Sequence, residues 1–88
     1  MSCEVRIASP LRSYTLGAAS VPAEGTTLAG VLADLDRRFP GIRFRMIDEH
    51  DDIRRHIRLF VNSGEAKSLR TPVAAGDTVH LICALSGG

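Results

Sequence analysis

Apolar and polar residues alternate from Cys3 to Ala8 (CEVRIA), with Val5 and Ile7 on one face, the period of a half-buried strand. Pro10 interrupts the run, and Tyr14 to Val21 (YTLGAASV) resumes a weaker extended pattern before Pro22 and Gly25. Together they predict an antiparallel hairpin that turns around Pro10 to Ser13. From Leu28 the period changes. Leu28, Val31, Leu32, Leu35 and Phe39 recur at helical spacing and form one stripe of an amphipathic helix. Thr26 or Thr27 offers the N-cap oxygen. Asp34, Asp36, Arg37 and Arg38 are expected on the outer face, and Pro40-Gly41 stops the helix, because proline withdraws a donor and disfavours helix before it.

Residues 41–56 read as a loop with one helical turn, in which Ile42, Phe44, Met46 and Ile47 tuck under the sheet while Asp48 to Asp52 (DEHDD) stays in solvent. Ile57, Leu59 and Val61 alternate with Arg58 and Phe60 and predict a third strand, closed by the turn Asn62-Ser63-Gly64. A short edge strand is expected near Ala66 to Leu69. Ala75-Gly76-Asp77 turns the chain into a last strand, Thr78 to Ala84, with Val79, Leu81 and Cys83 on one face. A hairpin, one helix and further strands make an α+β chain, and the order fits a β-grasp: a mixed sheet of four to five strands with one main helix on one face. A crossover through the helix lets the last strand lie parallel beside the first. The folded domain is expected over residues 1–84, with 85–88 as a tail.

Composition narrows the function. Eighty-eight residues with 44% hydrophobic content suffice for one core. Eleven basic residues against ten acidic leave a net charge of +1, so no basic field exists to gather nucleic acid or anionic lipid. No apolar run approaches the roughly 20 residues that span a bilayer, and the N-terminus lacks a signal-peptide layout, so a cytoplasmic location is expected. Cys3 and Cys83 are expected as unpaired, core-filling thiols. With the first and last strands parallel, they lie roughly 16 Å apart, beyond the reach of about 7 Å that a disulfide allows.

Candidate chemistry inside the domain is diffuse. His50, His56 and His80 show no ligand spacing, so no metal site is expected. Asp48, Glu49, Asp51 and Asp52 lack the alternation and the glycine of a calcium loop. The contrast is the terminus, where Gly87-Gly88 directly follows a buried strand. Glycine without a Cβ fits a narrow channel and leaves the last carbonyl carbon open to acyl substitution. A carboxylate is a poor electrophile, so such a tail needs activation by a partner.

Three features carry a resemblance: Val61-Asn62 closing the third strand, Gly76-Asp77-Thr78-Val79 opening the last, and the terminal Ser86-Gly87-Gly88. In that order the chain resembles the ThiS/MoaD sulfur carriers of ubiquitin-like fold. The long segment before Ile57, with Gly41-Ile42 and Arg55-His56, is most similar to the cysteine-synthase-associated branch; Cys83-Ala84 replaces a proline common in the family. The resemblance implies a carrier that is itself no enzyme and binds no cofactor. An E1-like enzyme would adenylate the Gly88 carboxylate with ATP and magnesium, and a sulfur donor would convert it to a thiocarboxylate. The acceptor would be a cysteine-synthase-like enzyme, one like the molybdopterin-synthase large subunit, or another biosynthetic enzyme. Leu85, Ser86 and Gly87 would deliver Gly88, and the outward residues Phe60, His80 and Ile82 would meet the partner. The rivals are a ubiquitin-like modifier joined to lysines through Gly88 and a β-grasp interaction module without acyl chemistry.

Overall fold

The computed structural model describes residues 2–83. β1 (Ser2–Arg6) is followed by a 3-10 turn (Ser9–Leu11), β2 (Ser20–Glu24), α1 (Leu28–Arg38), α2 (Ile42–Met46), β3 (Ile57–Val61), β4 (Gly64–Ala66) and β5 (Thr78–Cys83). The five strands form one mixed sheet in the order β2-β1-β5-β3-β4. β1 runs antiparallel to β2 and parallel to β5, and β3 is antiparallel to both β5 and β4. This is the β-grasp arrangement that the element order predicts.

Alternation decides which side chains enter the core. Val5, Leu59, Val79 and Leu81 from the sheet, with Ile7 just after β1, meet Leu28, Val31, Leu32 and Leu35 from α1, all nearly or fully buried. Each such side chain stabilises the fold by about 1.5–3 kcal/mol. Thr27 caps α1 by accepting from the Gly30 amide at 3.2 Å. Two further amides of the first turn, Leu28 and Ala29, donate to the carbonyls of Thr71 and Leu69 in the β4–β5 connection. The far end of α1 is joined to α2 by Asp36, whose carboxylate accepts from the amides of Gly41 and Arg43.

Four expectations need correction. The second strand lies at Ser20–Glu24 rather than Tyr14–Val21, and the stretch from Ser9 to Gly17 is a 3-10 turn and further turns. The strand includes Pro22 because β2 is a sheet edge and Glu4, opposite Pro22, sends its amide away to the carbonyl of Asp77. A donor at position 22 would therefore face outward, so its absence costs no ladder bond. β4 begins at Gly64, not near Ala66, since the turn from β3 needs only Asn62 and Ser63. Asp34 is buried rather than outward. Phe44 points out from α2 with 55% of its surface exposed, its ring under the Arg54 guanidinium, while Ile42, Met46 and Ile47 are buried as expected. Cys3 and Cys83 are free thiols, as their strand positions require.

Candidate functional site

β5 is the central strand, held by β1 on one side and β3 on the other. Its start is clipped by a pair of side chains. Asn62, at φ 55°, donates from Nδ2 to Asp77 Oδ1 at 3.1 Å and accepts at Oδ1 from the Thr78 amide at 3.0 Å. Asp77 in turn accepts from the Ala74 amide at 2.8 Å. These bonds hold the Asp77 carboxyl below the usual carboxylate range, the Ala74 amide contributing most and Asn62 next. The Asn62 and Asp77 motifs thus set the β3–β5 register and fix the strand that leads to the tail. The predicted tail residues Leu85, Ser86, Gly87 and Gly88 lie outside the described residues, as does Ala84.

On the outer face of β5, His80 and Ile82 alternate with the buried Val79 and Leu81. Phe60 pairs with His80 in the β3–β5 ladder, so the structure brings the three predicted docking residues onto one surface. Ile82 is 42% exposed, and Phe60 and His80 are half-buried. Cations flank them: Arg6 opposes His80 from β1, and Arg58 opposes Ile82 from β3, where it also pairs with Glu65 at 3.3 Å. Toward the end of β5 lies a shallow hollow of about 370 Å³, lined among others by Arg6, Ser9, Arg12, Ala19, His80 and Ile82.

Sequence reasoning missed Arg6 and Arg12, and it missed Leu16. The signals were an arginine at an outward position of β1 and a leucine immediately before Gly17. Leu16 sits at φ 57°, next to Gly17 at φ 87°, with 94% of its surface exposed. Left-handed backbone costs a side-chain-bearing residue roughly 1–2 kcal/mol, and the exposed side chain recovers nothing from burial.

The other candidate groups are the two thiols and the acids and histidines of the loops. Burial pushes both thiols up, with Arg45 partly offsetting it at Cys83, so little thiolate forms near neutrality. Among the described residues no cluster of histidine, cysteine or acid is placed to hold a metal ion. Asp48 instead folds its own loop, its carboxyl held below the ordinary value first by the Asp52 amide and then by the His50 amide, both of which donate to it. No helix among the described residues is long and apolar enough to cross a membrane.

The family model matched by this chain is the ThiS family, over residues 5–88. The sulfur carrier protein CysO of Mycobacterium tuberculosis is 34% identical over 93 aligned positions that span all of both chains. Its crystal structure superimposes with a TM-score of 0.89 at 33% identity, covering 94% of this chain and 99% of the other. CysO of Amycolatopsis orientalis, solved in a complex with BexX, gives 0.90 at 32% identity over 98% and 99% of the two chains. SAMP1 of Haloferax volcanii gives 0.84 at 25% identity over the whole of both.

Proposed function

The chain belongs to the ThiS family of sulfur carriers, and from that membership we propose that its working group is the Gly88 carboxylate. An E1-like enzyme, using ATP and magnesium, joins a carboxylate oxygen to the α-phosphorus and releases pyrophosphate. Sulfide then attacks the acyl carbon, expels AMP and leaves a thiocarboxylate. With a persulfide the first product is an acyl disulfide, which a thiol reduces to the same group. The charged sulfur is a strong nucleophile, and a second enzyme uses it for biosynthesis. The long segment before Ile57, similar to that of the cysteine-synthase-associated branch, favours a cysteine-synthase-like acceptor over one like the molybdopterin-synthase large subunit.

The observation that carries this reading is the family match running through Gly87 and Gly88. The fold supports it: β5, paired with β1 over Thr78 to His80 and with β3 over Val79 to Cys83, ends at Cys83, five residues before Gly88, so the tail is rooted in the sheet through the β3 ladder. The surface of Phe60, His80 and Ile82 lies on that same strand and its neighbour, where a partner taking the tail can also grip the sheet.

Intact-protein mass spectrometry after incubation with the cognate adenylating enzyme, ATP and a sulfur donor tests the reading. The wild-type chain is expected to exchange one oxygen for sulfur at its last residue. Deleting Gly88 withdraws the reacting carbon by roughly 3.5 Å, about the whole distance at which reacting atoms meet, so charging should collapse without unfolding. A bulky residue at position 87 should do the same. A wild-type chain that never gains the mass, or a truncated one that gains it equally, overturns the assignment. Covalent ladders on denaturing gels in place of sulfur exchange would make it a protein modifier.

A further inference from the structure

A sheet presents unpaired main-chain groups at its two edges, and here the edges are β2 and β4. β4 is three residues long and offers little to pair with. β2 is five residues long, and its outward groups follow from its neighbour. Glu4, the residue opposite Pro22, sends its amide to the Asp77 carbonyl, and the carbonyl of Ser2, the residue opposite Glu24, accepts from the Gly76 amide. By the alternation of an antiparallel ladder, Ser20, Pro22 and Glu24 turn their own backbone groups away from β1, to the open side.

That side is not empty. Arg38 Nη2 donates to the Pro22 carbonyl and to Asp34 Oδ2, the second bond at 3.1 Å, and the same Asp34 oxygen accepts from the Glu24 amide at 3.0 Å. Asp34 and Arg38 stand four residues apart on α1, so the helix brings both to the strand together. A donor on the carbonyl of residue 22 and an acceptor on the amide of residue 24 are the two bonds that one residue of an adjoining parallel strand would make. Pro22 supplies no donor of its own. Between Pro22 and Glu24 the edge is thus held by side chains, and it lacks a donor where a pairing strand would need one.

We propose that Asp34 and Arg38 stand in for a missing neighbour and close β2 to strand addition, the strand excluded being β2 of a second copy of this chain. The second copy is the occupant because the outward row is self-complementary. With two β2 strands antiparallel about Pro22, Ser20 of each faces Glu24 of the other, a two-fold contact in which no like charges stand directly opposite. The guard concerns self-association and is independent of the carrier reading.

The test is sedimentation equilibrium of the full chain with Pro22→Val, Arg38→Ala and the two combined. Pro22 is exposed, so valine there supplies an outward donor without touching the core, and alanine at position 38 releases the carbonyl of residue 22. Wild type and both single variants should sediment as monomers. The double variant should dimerise with an association constant about tenfold or more above either single variant, because two ladder bonds form at the centre of the seam. Hydrogen exchange should then find the amide at position 22 protected in the dimer alone. If the double variant does not fold, Pro22→Thr with Arg38→Gln carries the same expectation. A folded double variant that stays monomeric to millimolar concentration overturns the proposal. So does a wild-type chain that already pairs through β2, or a dimer in which the amide at position 22 exchanges freely.

Discussion

The Asp34 carboxylate ties three groups together: it accepts from the Glu24 amide at 3.0 Å and pairs with Arg37 and with Arg38, the latter at 3.1 Å. Arg38 continues to the Pro22 carbonyl, so one buried acid fastens α1 to the edge strand. The Glu24 amide is the largest cause holding its carboxyl below the ordinary value, with Arg38 and Arg37 adding to it and burial opposing them. Because the folded value is the lower one, the unfolded chain takes up the proton first on acidification. The contribution is complete above the unfolded pKa and is lost as pH falls through the folded one, below about pH 4. Asp34→Ala should cost about 1–3 kcal/mol in urea unfolding at neutral pH, since it removes the acceptor that ties the Glu24 amide to Arg37 and Arg38. The gap to wild type should narrow in acid. A gap that stays constant from pH 7 to about pH 3 would assign the loss to packing instead.

At the scale of elements, the junction between β2 and α1 depends on a single close approach. A Cβ on Gly25 would meet the Val31 amide nitrogen at 2.6 Å and the Gly30 carbonyl carbon at 2.8 Å, both backbone atoms that cannot yield. The helix begins only three residues later and takes its first-turn acceptors from the β4–β5 connection. Pushing α1 outward would therefore loosen both contacts. Gly25→Ala should lower stability by about 2–4 kcal/mol, from overpacking and unfavourable φ together. Gly17→Ala is the matched control: its φ of 87° is also positive, yet a Cβ there meets nothing within 4 Å. It should lose only about 1 kcal/mol. Equal losses in chemical denaturation would refute the steric account of Gly25.

Across the whole molecule, one face of the sheet is spent on the core and the other carries Phe60, His80 and Ile82. Ile82 belongs to the second face, 42% exposed, with Arg58 opposite. Ile82→Asp removes apolar contact and sets a negative charge among Arg6, His80 and Arg58. The fold should tolerate it, because Val79 and Leu81 alone carry the full burial of β5. Affinity for the adenylating enzyme should drop about tenfold or more, measured by titration calorimetry, with the melting temperature nearly unchanged. Unchanged affinity would move the docking surface elsewhere.

Period and punctuation in the sequence determined where α1, β3 and β5 lie, because apolar spacing, a threonine cap and Pro40-Gly41 act within a few residues of one another. They also exposed the terminal Gly87-Gly88, on which the proposed function rests. Position in the sheet decided the rest. Pro22 is a strand residue only because β2 is an edge with its missing donor turned outward, a fact settled by Glu4 and Asp77 from distant parts of the chain. Asp34 has helical spacing that assigns it to solvent, and only the arrival of the Glu24 amide makes it a buried acceptor. Leu16 reads as one more apolar residue in a weak strand until the backbone turns left-handed and leaves it bare in solvent. Local patterns encode what a residue does to its neighbours in sequence; burial and juxtaposition depend on segments that meet only when the sheet closes.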